Sequence, residues 1–183
     1  MELNKISNKE LKLALKASAA LDIEISDDEH LRCFTYTENW VFGIDIATYE
    51  NGGGDNIVVV IKDESILIKG FDHGSEVSPH AQEEYGVWPG MYEGAPTKLL
   101  EVLNDEAFEI EEVTFCMWRL DNEATWSQGA VEFNNDEDDG MSWLLSAITT
   151  TPSAFIEYVE NYHDGDFNQL TQEKIHDVFA AQM

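Results

Sequence analysis

The residues best equipped for chemistry fall between positions 72 and 95: Asp72, His73, Glu76, His80, Glu83, Glu84, Tyr85, Trp88 and Tyr92. A histidine beside carboxylates has the makings of a general base, because the carboxylate orients the imidazole and supports the proton it takes. Two histidines among acidic residues also offer the nitrogen and oxygen donors of a divalent-metal site. The spacing argues against both uses. His73 and His80 are seven residues apart in a loop, which matches no metal-ligand motif, and Ser75 and Ser78 sit in no G-x-S-x-G elbow. The reading is no catalytic residue, no metal and no cofactor, with Asp72 and His73 retained as binding residues.

The rings of Tyr85, Trp88 and Tyr92 surround Pro89-Gly90. Large rings in a loop either plug the core from outside or line a recognition surface. The fixed turn beside Trp88 makes Trp88 and Tyr92 the expected anchors. Two other patterns are weaker. Gly52-Gly53-Gly54 runs into a strand rather than a helix N-terminus, so it reads as a hairpin loop and not a phosphate cradle. Asn135-Asp136-Glu137-Asp138-Asp139-Gly140 has the ligand spacing of half a calcium loop, but Ser146 stands where the bidentate Glu belongs, so it reads as an acidic solvated turn.

The elements that must position these residues follow from periodicity. Ser7 and Glu10 form a capping box, with Ile6 and Leu11 as a hydrophobic staple, and Leu11, Ala14, Leu15 and Leu21 share one helical face. From Leu31 the period changes to two, and strands are expected at Leu31–Tyr36, Val41–Tyr49, Ile57–Lys62 and Ser65–Phe71. Their connections, Glu38-Asn39, the glycine loop and Asp63-Glu64, are too short for crossover helices, so the strands form an antiparallel meander. A short helix at Thr97–Leu103 precedes two more strands, Val113–Leu120 and Thr125–Phe133. Met141–Ile148 is apolar and ambiguous, and helices begin at Thr151-Pro152 and at Thr171. The expected fold class is α+β: a single domain over residues 1–183, with a mainly antiparallel sheet of about six strands packed with N- and C-terminal helices.

Thirty-seven Asp and Glu against ten Lys and Arg give a net charge of −27. The aromatic and β-branched content is that of a folded chain rather than a disordered acidic one. Such a field repels nucleic acid and anionic lipid, so direct binding to either is disfavoured; a basic partner, whether a cationic protein, a metal ion or a small cation, is permitted, and so is a charge that only confers solubility. Cys33 and Cys116 lie in apolar runs and read as buried free thiols. With no leader-like segment or membrane-length apolar run, the expected compartment is the cytoplasm.

Three motifs, Gly70-Phe71-Asp72-His73-Gly74-Ser75, Trp88-Pro89-Gly90 and Thr114-Phe115-Cys116-Met117-Trp118-Arg119 followed by Trp126, resemble a functionally uncharacterised family of small acidic bacterial proteins. In that family a Phe-Asp-His-x-Ser motif precedes Trp-Pro-Gly and a Thr-Phe-Cys-x-Trp-Arg strand. The resemblance covers roughly residues 65–145, and Gly74 departs from it where members carry an acidic residue. It implies an accessory protein of mobile elements or toxin loci with an immunity-type role. It also implies that Asp72, His73, Trp88, Arg119 and Trp126 form one neighbourhood. With Tyr92 these are the expected binding residues of an acidic module that occludes a basic protein. The alternatives are a small-molecule protein or enzyme, with a pocket around Asp72 and His73 and with Arg119 on an anionic group, and a nucleic-acid mimic.

Overall fold

The computed structural model describes residues 2–133, 137–168 and 170–182. Among them are five α-helices, α1 (Asn8–Ile25), α2 (Thr97–Leu100), α3 (Met141–Leu144), α4 (Pro152–Tyr162) and α5 (Gln172–Gln182). Ser7 opens α1 through the full capping box, accepting from Glu10 N–H at 3.2 Å while Glu10 Oε2 accepts from Ser7 N–H at 2.7 Å. Both sides of α1 are buried. Leu11, Leu15 and Ala19 pack on the sheet, while Ala14, Ala17, Leu21 and Ile25 pack on Phe155 and Val159 of α4 and Ile175 and Phe179 of α5. Thr151 caps α4 on Ala154 N–H at 3.2 Å, with Pro152 in the first turn where no N–H is needed.

Strands β1 (Phe34–Val41), β2 (Ile44–Glu50), β3 (Asn56–Lys62), β4 (Ser65–Phe71), β5 (Phe115–Arg119) and β6 (Ser127–Gln128) form one antiparallel sheet in sequence order. The α+β meander is therefore as the periodicity requires, but two boundaries move. The β1–β2 turn is Phe42-Gly43, with Gly43 at φ 74, and not Glu38-Asn39. Asn39 instead has φ 51 inside β1, where the register with β2 shifts. The last strand ends at Gln128, because Gly129 and Gly90 are pressed backbone to backbone against Met91 and Ala130, where a Cβ on either glycine would collide with a carbonyl.

The two faces of the sheet are covered unequally. The inner face, with Ile57, Val59, Ile61, Ile66, Ile68, Phe115 and Met117, lies under α1 and the helical segment 141–147 with Ile148 at its end. The outer face carries Ile44, Ile46, Val58, Val60, Leu67, Cys116 and Trp118 under Leu99, Leu103 and Phe108. Lys69 also points to the outer face with 1% of its surface exposed, and its ammonium donates to the carbonyls of Phe108 (2.6 Å) and Glu109 (3.0 Å) at the end of a 3-10 turn. No helix among the described residues is long and apolar enough to cross a membrane.

Candidate functional site

Asp72 and His73 follow directly on β4, where a run of turns begins. Ser75 N–H, Ser78 N–H and Ala81 N–H each return to the carbonyl three residues back. His73 bonds through Nδ1 to Asp55 Oδ1 at 2.7 Å, and its backbone N–H reaches the same oxygen at 3.0 Å. The hydrogen bond and charge of Asp55 raise the His73 pKa. Burial would raise the Asp55 carboxyl, but donors from His73 N–H, Asn51 and the His73 ring outweigh it and hold the carboxyl below its ordinary value. Asp72 accepts from Trp143 Nε1 at 2.8 Å and from Gly74 N–H at 2.8 Å. Asp55, Asp72 and His73 bring one donor atom each within 4.8 Å of the others, the geometry of a cation site, though their atoms are engaged by the protein's own hydrogen bonds. The imidazole has an orienting carboxylate, yet its side chain is 62% exposed, so this is an open surface and not an enclosed pocket. Of the calcium-like loop, Asn135 and Asp136 lie outside the described residues. Asp138 and Asp139 instead accept from Gly140 N–H and Met141 N–H at 2.9 Å each.

The remaining expected binding residues are placed elsewhere or are used structurally. Trp88 is half-buried at the turn whose Gly90 packs on Ala130. Tyr92 packs into the outer-face core and donates to the Ile110 carbonyl at 2.6 Å; burial drives its pKa upward. Arg119 is buried, donating to Asn8 Oδ1 at 2.6 Å and Ile6 O at 2.8 Å, and it lies over the Trp126 ring at 4.6 Å. Trp126 Nε1 donates to Leu3 O at 3.4 Å, so this pair clamps the N-terminal segment and does not hold an anion. Asp72 and Arg119 are not neighbours. Arg119 pairs with Ile66 at the start of β4 and Asp72 follows its end, a separation of about 20 Å at the ~3.3 Å rise of a strand.

The surface that sequence reasoning passed over runs along β1. Of the ten large hydrophobic side chains exposed among the described residues, Ile23, Leu31, Trp40, Val41 and Phe42 lie on α1, β1 and their connections. Phe42, in the two-residue β1–β2 turn, is fully exposed. Beside this strip a groove of about 530 Å³ separates α1 from β1, lined by Lys16, Ala19, Ala20, Ile23, Phe34 and Tyr36, with Glu29, Arg32 and Glu38 at its margins. Asp45 secures the hairpin to α1, accepting from Lys12 at 2.8 Å, Tyr36 OH at 2.7 Å and Asn39 N–H at 3.0 Å. Partial burial works against ionisation of Asp45, yet those donors and the Lys12 charge hold its pKa down to about 2. On the opposite face a smaller cleft of about 260 Å³ lies between Thr35, Thr48, Glu50, Asn56 and the Trp40 and Phe108 rings, which stand 5.2 Å apart. An exposed aromatic after a polar hairpin was the signal available in the sequence, hidden by assigning the turn to Glu38-Asn39. Comparison with family models, curated proteins and solved structures finds no match to this chain.

Proposed function

We propose that this chain is a protein-binding module, immunity-like in its action, which occludes a basic partner through the α1–β1 strip and the Trp40-Val41-Phe42 tip. The observation that carries the reading is Phe42. A phenylalanine with its whole surface in water contributes nothing to the fold, while burying it against a partner gains about 1.5–3 kcal/mol. Val41 and Trp40, the latter beside Phe108 on the outer face, join it at the tip, while Ile23 and Leu31 are exposed near the far end of β1. Clustered exposed apolar side chains, as at this tip, mark interaction sites in otherwise polar proteins. The −27 net charge supports a basic partner, since complementary fields accelerate encounter while the apolar anchors set the lifetime of the complex.

The test is affinity capture from the native host, followed by titration of the purified partner against wild type and Phe42→Asp. Loss of binding by Phe42→Asp with an unchanged melting temperature supports the reading; unaltered affinity removes the tip from it. A second reading, acid–base chemistry at His73, draws support from the 2.7 Å bond to Asp55. It requires the imidazole to titrate above the ordinary histidine value and Asp55→Asn to abolish that shift in an NMR pH series.

A further inference from the structure

We propose that the partner segment occupying the α1–β1 groove is an extended strand of alternating apolar and basic residues, which adds to the free edge of β1. This rests on the protein-binding reading above. The ladder defines which backbone groups are available. Glu50 N–H donates to Cys33 O at 2.9 Å, and the register continues as Phe34 with Tyr49, Thr35 with Thr48 and Tyr36 with Ala47. In an antiparallel pair, residues alternate between bonding the neighbouring strand and pointing their N–H and C=O away from it. Cys33, Thr35 and Thr37 bond β2, so the backbone groups of Phe34 and Tyr36 point outward. Asp22 Oδ2 takes the Phe34 N–H at 2.9 Å. That leaves the Phe34 carbonyl and both backbone groups of Tyr36, none of which has a partner among the described residues.

Side-chain direction fixes the chemistry of the added strand. Phe34 and Tyr36 face α1, so a residue opposite Tyr36 sends its side chain into the groove beside Ala19, Ala20 and Ile23, which suits an apolar residue. Its neighbours in sequence emerge on the outer face, where the charged lining is Glu50, Glu109 and a Lys69 whose ammonium is already bonded to two carbonyls. Basic residues fit there. Within the groove the charges cancel, Lys16 on Glu38 and Arg32 near Glu29 at 4.0 Å, so an apolar face meets a neutral surface. The stretch Phe34–Thr37 has no proline and no charged side chain to guard it against strand pairing; beyond it Glu38, paired with Lys16, and the Asn39 irregularity end the open edge and limit the added strand to a few residues. A second copy of this chain is disfavoured as occupant because it brings another −27 charges to the same surface.

The probe is an acetylated, amidated Lys-Val-Lys-Val-Lys-Val peptide titrated into the isotope-labelled protein and followed by amide NMR and hydrogen exchange. Binding that shifts and protects the Tyr36 amide, weakens about tenfold or more in Ala20→Arg, and is lost with the Glu-Val counterpart supports the proposal. Ala20 is exposed on α1, so its replacement tests the groove without touching the core. Shifts that leave Tyr36 unprotected, equal binding of the Glu-Val peptide, or Tyr36 protection in a dimer without peptide would each overturn it. If the native partner is lost by Phe42→Asp and indifferent to Ala20→Arg, strand addition is wrong while the protein-binding reading stands. If it is indifferent to Phe42→Asp and binds elsewhere, that reading itself falls.

Discussion

Asp22 ties the β1 edge to the rest of the molecule, and its replacement separates two contributions that wild type combines. Its carboxylate is fully buried between α1, β1 and α4. Oδ2 accepts from Cys33 N–H at 2.6 Å and Phe34 N–H at 2.9 Å, while Oδ1 accepts from Tyr158 OH at 3.1 Å with His163 Nε2 at 3.8 Å. Asp22→Ala leaves two backbone N–H groups facing the protein interior, and each buried unsatisfied donor costs about 1–3 kcal/mol. Tyr158 retains His163 Nε2 at 3.1 Å as an alternative partner, so its hydroxyl adds little to that cost. Removing a buried carboxylate returns part of its desolvation penalty, and the net expectation is a loss of about 3 kcal/mol, or roughly 6–12 °C in Tm for a chain of this size. Asp22→Asn keeps an acceptor for both N–H groups and should cost less than half as much.

The two variants also differ from wild type in pH dependence. Burial, the largest influence, holds the Asp22 carboxyl above its ordinary value despite the hydrogen bonds and the nearby His163. A folded-state pKa raised above the unfolded value of ~3.9 means that the native state takes up a proton first as the pH falls. Wild type therefore gains stability relative to Asp22→Asn as the pH drops from the raised value towards ~4, and this gain is absent at neutral pH. Urea titrations of the three proteins across that range measure both effects. A loss below about 1 kcal/mol for Asp22→Ala, or parallel pH profiles for wild type and Asp22→Asn, would refute the assignment of Asp22 as the buried acceptor.

Lys69 supplies the opposite pH signature. Burial lowers its pKa to about 8 against the pull of Glu109 and Glu112, so between pH 8 and the unfolded value of ~10.4 the native state releases its proton first and stability rises with pH by up to about 3 kcal/mol. Urea midpoints of Lys69→Met should lack that rise. Gly70→Ala places a Cβ inside the Phe115 ring across the β4–β5 ladder, at an expected cost of about 1–3 kcal/mol, and Phe115→Leu in that background should recover part of it in a double-mutant cycle. Burial raises the Cys33 pKa and pushes Cys116 up to about 12, so neither thiol should react with an aromatic disulfide reagent at about pH 8 until urea unfolds the chain.

What the sequence revealed and what it hid divide along a physical line. The capping box at Ser7, the meander and the Pro152 helix start were legible because local chemistry decides each of them. The β1–β2 turn was misplaced because Asn39 carries the positive φ that usually marks a turn, whereas the turn itself has Phe42 where polar residues are the norm. Trp88-Pro89-Gly90 reads as a recognition motif in one dimension. In three, its Gly90 serves a backbone contact, approaching Ala130 more closely than any side chain permits, while Trp88 is half-buried beside it. Arg119 and Asp72 were joined by their motifs but lie at opposite ends of an antiparallel ladder, a relation that depends on strand direction and is invisible to spacing. Asp55, which completes the His73 network, has no sequence signal beyond following the glycine loop, and only its position opposite the end of β4 brings it there.

The placement of basic residues gives a reason for the proposed interaction surface to lie on β1. Docking strips water from charged groups, and an unpaired carboxylate at an interface is expensive to desolvate. On a chain with 37 acidic residues, most of the surface carries that cost. The α1–β1 edge is where α1 commits Lys12 to Asp45 and Lys16 to Glu38, with Arg32 facing Glu29. Local charge is neutral on the α1 side of β1 while Ile23 stays exposed there and Phe42 at the tip, so the proposed apolar contact would form with little loss of carboxylate hydration. The surrounding negative field would then draw in the proposed basic partner without being buried by it. Lys16→Gln separates the two roles: it leaves the long-range field almost unchanged but uncovers Glu38 beside the groove. An apolar probe should then bind more weakly at every salt concentration, whereas a site governed by net charge alone would bind a basic probe slightly more tightly at low salt and show no change at high salt.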